Sequence, residues 1–216
     1  MNRSSAVLFD LDGTLLDSRG DLADAANATR GHLGLEPLSD EAVEVHTGWG
    51  MMALLQGVLP EVQPSELAAL REVFVAHYRA HLLDRSRPCP GVEEMFDALA
   101  GRKLGLVTNK PTMFTAPILE GLGWTRRFDV VVCGDTTPSR KPSPEPLLYA
   151  LGALGVTAER ALFVGDTPID AETAAAAGVD FVCVGWGRAA SATDSSRVIA
   201  SLDALPAVVE RLRTGD

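Results

Sequence analysis

The sequence predicts a doubly wound α/β core, a parallel sheet with helices on both faces, carrying an inserted α-helical domain. Short apolar runs each end in polar or glycine residues, helix-like stretches alternate with the later runs, and the gap between the first two runs is too long for one crossover. The runs fall at residues 6–9, 104–107, 130–133, 161–164 and 181–184, and read as strands buried on both faces. Between them, residues 112–122, 144–154 and 170–177 read as helices. Pro144 and Pro146 suit a first helical turn and Gly178 suits a C-terminal cap. Pro117 either starts or kinks its helix, and the pattern alone leaves both open.

From about Asp21 to Leu83 the periodicity is helical. The best helix there begins near Pro64 and places Leu67, Leu70, Phe74, Tyr78 and Leu82 at spacings of three and four, a stripe that reads first of all as core. The expected division is therefore a core made of residues 1–17 and 86–216 and a helical domain of residues 18–85. The polar stretch 191–196 reads as a surface loop.

Hydrophobic residues make up 46% and charged residues 22% of the 216, a composition suited to a folded domain with its own core. The net charge of −10, with no run of Lys and Arg, argues against nucleic acid and anionic membrane as partners. It also repels small anions, so a phosphate site needs a bound cation or a placed Lys. Cys89, Cys133 and Cys183 are odd in number and scattered, which suggests neither a disulfide framework nor a zinc site. The segment Met1–Ser5 leads into an apolar run too short for a signal peptide, and a cytoplasmic protein, monomer or homodimer, is expected.

The chemistry gathers where the strands end. Asp10-Leu11-Asp12-Gly13-Thr14 follows the first strand, placing two carboxylates and a turn-forming glycine at the edge where open α/β sheets bind ligands. Neighbouring carboxylates can divide labour between attack and proton transfer. A carboxylate that attacks phosphorus gives an aspartyl-phosphate. Thr108 and Asn109 follow the second strand and can hold phosphate oxygens. Lys141, in Ser139-Arg140-Lys141-Pro142, supplies the missing positive charge. After the fourth strand, Gly165-Asp166 and Asp170 form a second acidic pair. Mg2+ needs only one or two carboxylates beside the substrate phosphate, and Asp10 and Asp166 meet that need, with Asp170 behind them.

This ordered set, Asp10-x-Asp12-Gly13-Thr14, then Thr108-Asn109, then Lys141-Pro142, then Gly165-Asp166 and Asp170, resembles the haloacid dehalogenase superfamily of phosphatases across almost the whole chain. The resemblance implies a Rossmann-like core and a helical cap that closes over substrate, hinged near residues 16–20 and 84–90. It implies Asp10 as nucleophile and metal ligand, and Asp12 as general acid and base that also lends its backbone carbonyl to the metal. Thr108 and Lys141 would hold the phosphoryl group with the Leu11 and Gly13 backbone, Asn109 and Thr14 would support the site, and Asp166 would complete the metal shell. Asp170 would orient Lys141 or a metal-bound water. The finer wording, DLDGTLLDS from Asp10 to Ser18, VTNKP from Val107 to Pro111, and Thr47-Gly48-Trp49-Gly50, is similar to the phosphoglycolate phosphatase branch. It implies a small phosphorylated metabolite as substrate. A short cap loop around His46 to Met51 is placed to face the leaving group, with His46 or Arg30 as candidates to meet a substrate carboxylate. A phosphomutase, a carbon–halogen hydrolase and a binding module without catalysis are the other readings of the same scaffold.

Overall fold

The computed structural model of the chain describes residues 6–214, so the N-terminal segment Met1–Ser5 weighed above lies outside the described residues. Strand β1 (Ala6–Phe9) is followed by the two-residue strand β2 (Leu16–Asp17) and helices α1 (Arg19–His32), α2 (Asp40–Glu44), α3 (Met51–Val58) and α4 (Pro64–Ala80). The chain returns through β3 (Arg87–Pro88) and then alternates: α5 (Val92–Ala98), β4 (Lys103–Val107), α6 (Thr112–Gly121), β5 (Val130–Val132), α7 (Glu145–Leu154), β6 (Ala161–Gly165), α8 (Pro168–Ala177) and β7 (Asp180–Val184). A short edge strand β8 (Val198–Ile199) and helix α9 (Leu205–Thr214) end it.

The main sheet has the order β5-β4-β1-β6-β7-β8, with all its pairings parallel. β1 shows why its sequence is apolar throughout. Successive side chains alternate faces, so Val7 and Phe9 enter the core beneath α5, α6 and α9, while Ala6 and Leu8 enter the core beneath α7 and α8. In register, Phe9 stands opposite both Leu106 and Val164, so β1, β4 and β6 finish at one height. The chain runs from β1 to β4 and β5 on one side and then to β6, β7 and β8 on the other. The C-terminal ends of β4, β1 and β6 therefore flank a crevice of the kind in which such sheets hold ligands.

A second core lies among the helices inserted after β2. Leu67, Leu70, Phe74, Val75 and Tyr78 of α4 pack on Leu54, Leu55 and Val58 of α3 and on the small Ala23, Ala25 and Ala26 of α1. Phe114 of α6 joins this cluster, its ring 4.8 Å from that of Tyr78, and so seats the helical cap on the sheet domain. Where the chain passes between the two, β2 and β3 pair antiparallel, and buried Asp21 accepts hydrogen bonds from the amides of Arg85 and Ser86 and from the Ser86 hydroxyl.

Element ends differ from the sequence reading where a side chain takes over a backbone group. The strand expected through Cys133 closes at Val132, because the Cys133 amide donates to Thr136 Oγ1 at 2.8 Å. Pro144 precedes α7 as its cap. α8 starts at Pro168, two residues earlier than expected, because Thr167 caps it and bonds reciprocally with Asp170. Pro117 lies inside α6, so it does not start that helix. Leu82 falls just beyond α4 yet still packs against the cap core. The stretch 191–196 falls across two 3₁₀ turns at Ala190–Ala192 and Ser195–Arg197. All three cysteines are free and buried, and among the described residues no helix is long and apolar enough to cross a membrane.

Candidate active site

Four strand ends deliver the site. The loop after β1 is tight: the Leu11 carbonyl accepts hydrogen bonds from the amides of Thr14, Leu15 and Leu16, and the Gly13 amide donates to Leu16 at 2.8 Å. The Leu11 side chain is fully buried in the core. Gly13 has φ +84°, and a Cβ there would lie 2.5 Å from Asp166 Oδ2. Glycine thus serves twice, for the turn and for the approach of Asp166. Gly13→Ala is expected to lower Tm, with at least ~1–2 kcal/mol from the left-handed backbone alone and more from the contact. A thermal melt checks it, and an unchanged Tm would mean that this loop relaxes freely.

Asp10 is buried, and its Oδ1 accepts from Lys141 Nζ at 2.7 Å. The same ammonium donates to Asp170 Oδ1 at 2.6 Å. Asp170 Oδ2 accepts from the Thr167 hydroxyl at 2.6 Å and from the Thr167 and Asp166 amides. Both Asp170 oxygens are thereby engaged. Asp166 Oδ1 accepts from Thr14 Oγ1 at 3.1 Å. Carboxylate oxygens of Asp10, Asp166 and Asp170 all lie within 4.8 Å of one another.

Three buried carboxylates around one ammonium make an acidic, poorly solvated centre. Burial pushes the Asp10 carboxyl up to about 7, with Lys141 pulling against it and Asp170 adding to it. Asp166 is pushed well above its ordinary value by burial and by its neighbours Asp170 and Asp10. Burial alone would lower Lys141, but the charges of Asp10 and Asp170 outweigh it and hold the ammonium above its ordinary value.

Thr108, Asn109 and Lys110, after β4, are all buried at the same edge. Asn109 is a cross-brace: its Nδ2 donates to the Lys141 carbonyl at 3.0 Å and to the Gly48 carbonyl of the cap at 2.8 Å, while its Oδ1 accepts from the Lys141 amide at 3.0 Å. The Asp12 carboxylate turns away from the acidic centre. Its Oδ1 accepts from Ser18 Oγ at 2.5 Å and from Lys110 Nζ at 2.7 Å. Ser18 and Lys110 were given no role in the sequence reading, although both stand inside segments quoted for the family resemblance. Their signal was position in a motif; the pairing with Asp12, six and 98 residues away, is visible only in three dimensions.

The cap closes a cleft over these groups. Thr47, Gly48, Gly50, Met51 and Leu54 face Asp10, Asp12, Thr108 and Lys141 across a space of about 560 Å³, including its open mouth. From the sheet domain, Arg188 donates to the carbonyls of Glu44, Val45 and Thr47, which ties the cap loop down beside Asn109. The two cap residues expected near a substrate carboxylate are placed elsewhere. Arg30 spends its guanidinium on the Glu36 and Val58 carbonyls, and His46 packs on Gly57. Neither lines the cleft, and Trp49 is 53% exposed.

The sequence pattern of the haloacid dehalogenase-like hydrolases matches residues 7–184. The chain is 42% identical over 195 residues to a phosphoglycolate phosphatase of Chromobacterium violaceum, covering 87% of this chain and 88% of that protein. It is 39% identical over 193 residues to an N-acetylmuramic acid 6-phosphate phosphatase of Pseudomonas aeruginosa, covering 86% and 83%. A crystal structure from Haemophilus somnus, described as a predicted phosphoglycolate phosphatase, superposes with a TM-score of 0.89 at 30% identity, covering 96% of this chain and 99% of that one. With its parallel core, helical cap and buried aspartate cluster, the chain belongs to the haloacid dehalogenase-like hydrolases and is a phosphoric monoester hydrolase of that superfamily.

Proposed function

We propose that the chain hydrolyses a small anionic phosphomonoester, 2-phosphoglycolate first among them, by transferring the phosphoryl group to Asp10 and then to water, with Mg2+ as cofactor. The observation that carries this reading is the buried ammonium of Lys141, shared between Asp10 and Asp170 while Asp166 stands beside them. Asp10 attacks phosphorus in line, and Thr108 and Lys141 hold the phosphoryl oxygens. Asp12, held by Ser18 and Lys110, gives its proton to the leaving oxygen and then takes one from the water that opens the aspartyl-phosphate. Asn109 fixes the Lys141 backbone. The smaller substrate question is served by the relatives' names, since phosphoglycolate and N-acetylmuramic acid 6-phosphate both pair a phosphomonoester with a carboxylic acid.

The donor set fits a hard divalent cation. Asp170 is saturated by Lys141 and the Thr167 cap, which leaves Asp10 and Asp166, with the Asp12 backbone carbonyl, to hold Mg2+. When bound, Mg2+ supplies positive charge to the transferring phosphoryl oxygens in a protein whose overall field repels them. We also assign residues 1–17 and 86–216 to the core and 18–85 to the cap, a division supported by the β2–β3 ribbon and the Asp21 bonds at the crossing point.

The acidic centre also sets a pH dependence of stability. Asp10 at about 7 and the raised Asp166 hold protons in the folded protein that the unfolded chain, at 3.8, has already lost. Their contribution is therefore full below about pH 4 and declines as pH rises toward 7. Since Mg2+ competes with those protons, its addition after chelation is expected to raise Tm more at pH 8 than at pH 5. Equal or reversed gains would speak against a metal on these carboxylates.

The functional test is Mg2+-dependent phosphate release from 2-phosphoglycolate beside N-acetylmuramic acid 6-phosphate, sugar phosphates and nucleotides. Selective release supports the substrate proposed. Release from another compound keeps the chemistry and moves the substrate; isomerisation without release favours a phosphomutase.

A further inference from the structure

The wall of the cleft is largely apolar. Beyond the phosphoryl-holding groups it is lined by Leu22, Met51, Leu54, Phe74 and Phe114, which are apolar. Tyr78 of α4 is the polar side chain that the helical part of the cap adds to this wall. It is 1% exposed, and among the described residues its O–H finds no acceptor, the only polar group beside it being the Lys110 ammonium, itself a donor. Leaving a buried hydroxyl unpaired costs roughly 1–3 kcal/mol, so it calls for an explanation. Burial also raises the phenol to about 12 despite the nearby Lys110 ammonium, so the group is a hydrogen-bond donor throughout the working pH range.

Lys110 stands next to it. Its Nζ lies 4.8 Å from the Tyr78 ring centroid, is 2.7 Å from Asp12 Oδ1, and carries three protons. Two donors, one of them charged, thus adjoin in an apolar cavity beside the residue placed to protonate the leaving oxygen. A neutral hydroxyl can satisfy the phenol, but an anionic oxygen answers both donors and gains most from the dry wall.

We propose that Tyr78 and Lys110 form the leaving-group subsite and that it selects phosphomonoesters whose leaving group carries a carboxylate. The inference rests on the phosphatase reading above and replaces His46 and Arg30 as the carboxylate partners. It also accounts for the hydroxyl, whose proton finds an acceptor only when substrate is bound.

The test compares kcat/KM for 2-phosphoglycolate and ethyl phosphate, which share a two-carbon leaving group and differ in the carboxylate, using the Mg2+-loaded protein. The wild type is expected to prefer 2-phosphoglycolate, and Tyr78→Phe to shrink that preference about 10- to 100-fold, chiefly through KM. Since Tyr78→Phe keeps the ring beside Lys110 and removes only a buried hydroxyl whose proton has no acceptor, the substrate-free Tm is expected to stay close to wild type, which separates lost recognition from lost fold. A wild type without preference for the carboxylate, or a Tyr78→Phe variant whose two rates fall equally, overturns the subsite and leaves the phosphatase standing. A wild type that releases phosphate from no compound overturns both.

Discussion

Asp10→Asn is expected to lower kcat by roughly 10⁴- to 10⁶-fold, the scale on which removal of an enzyme's nucleophile acts. The amide is nearly isosteric with the carboxylate and still presents an oxygen to Lys141 Nζ, now 2.7 Å from Asp10 Oδ1, so the strand end and its loop are retained. What is lost is the nucleophile, because an amide oxygen is a poor attacker of phosphorus and its adduct would not return a carboxylate. The fold even gains in one respect, since a carboxylate pushed up to about 7 by burial is replaced by a neutral group. The measurement is phosphate release with the variant purified free of other phosphatases, beside a melt. Inactivity with an unchanged or higher Tm at pH 8 supports the assignment. A kcat within tenfold of wild type would remove Asp10 from the nucleophile's place.

The legibility of this site in the sequence depended on which residues sit directly on strand ends. Asp10, Thr108 and Asp166 each follow an apolar run by one or two residues, and the level register of β1, β4 and β6 then brings them together. Any reading that finds the strands finds that edge. Lys141 was legible as a needed cation, but its bidentate grip on Asp10 and Asp170 comes from a loop whose path the sequence does not specify. The cap was harder. Its helices show as periodicity, yet which face meets the cleft depends on how α4 seats against Phe114 of α6, a contact between distant segments. The same Tyr78 that reads as core in the stripe is both core and cleft wall. The cap loop from His46 to Met51 does face the cleft through Thr47, Gly48, Gly50 and Met51, but His46 packs on Gly57 and Arg30 is spent on carbonyls within the cap. Strands of two residues, β2, β3 and β8, carry too little pattern to be seen in advance.

Closure of the cap follows the same logic of distant groups meeting. The cap loop is held by carbonyls, those of Glu44, Val45, Thr47 and Gly48, and the donors are Arg188 and Asn109 of the sheet domain. Asn109 also bonds the Lys141 backbone, so one side chain joins the cap loop to the segment that carries the buried lysine. On the mechanism proposed above, a lid that excludes water during phosphoryl transfer would use such a link between cap packing and the order of the site.

Lys141→Met is the variant expected to injure both stability and rate. Methionine approximates the lysine stem, so the space is filled, but Asp10 and Asp170 are left buried with no ammonium between them. Breaking a buried ion pair from one side costs about 3–5 kcal/mol, and for a chain of this size that is a fall in Tm of roughly 6–20 °C. The fall is expected to be larger at pH 8 than at pH 5, because protonating Asp10, already shifted to about 7 with the lysine present, relieves the uncovered charge. Mg2+ should restore part of the lost Tm at pH 8, since it neutralises Asp10 and Asp166 but cannot replace the hydrogen bond to Asp170. Turnover is expected to stay depressed by about 10²- to 10³-fold even in saturating Mg2+, the usual effect of removing one donor from a developing negative charge. Lys141→Arg separates the two roles: its charge persists, yet a planar guanidinium does not fit a pocket where Nζ sits 2.7 and 2.6 Å from two carboxylates, so it should recover more stability than rate. Full Tm with full activity in Lys141→Met would mean that the ammonium at the centre of the acidic cluster holds neither the fold nor the phosphoryl group.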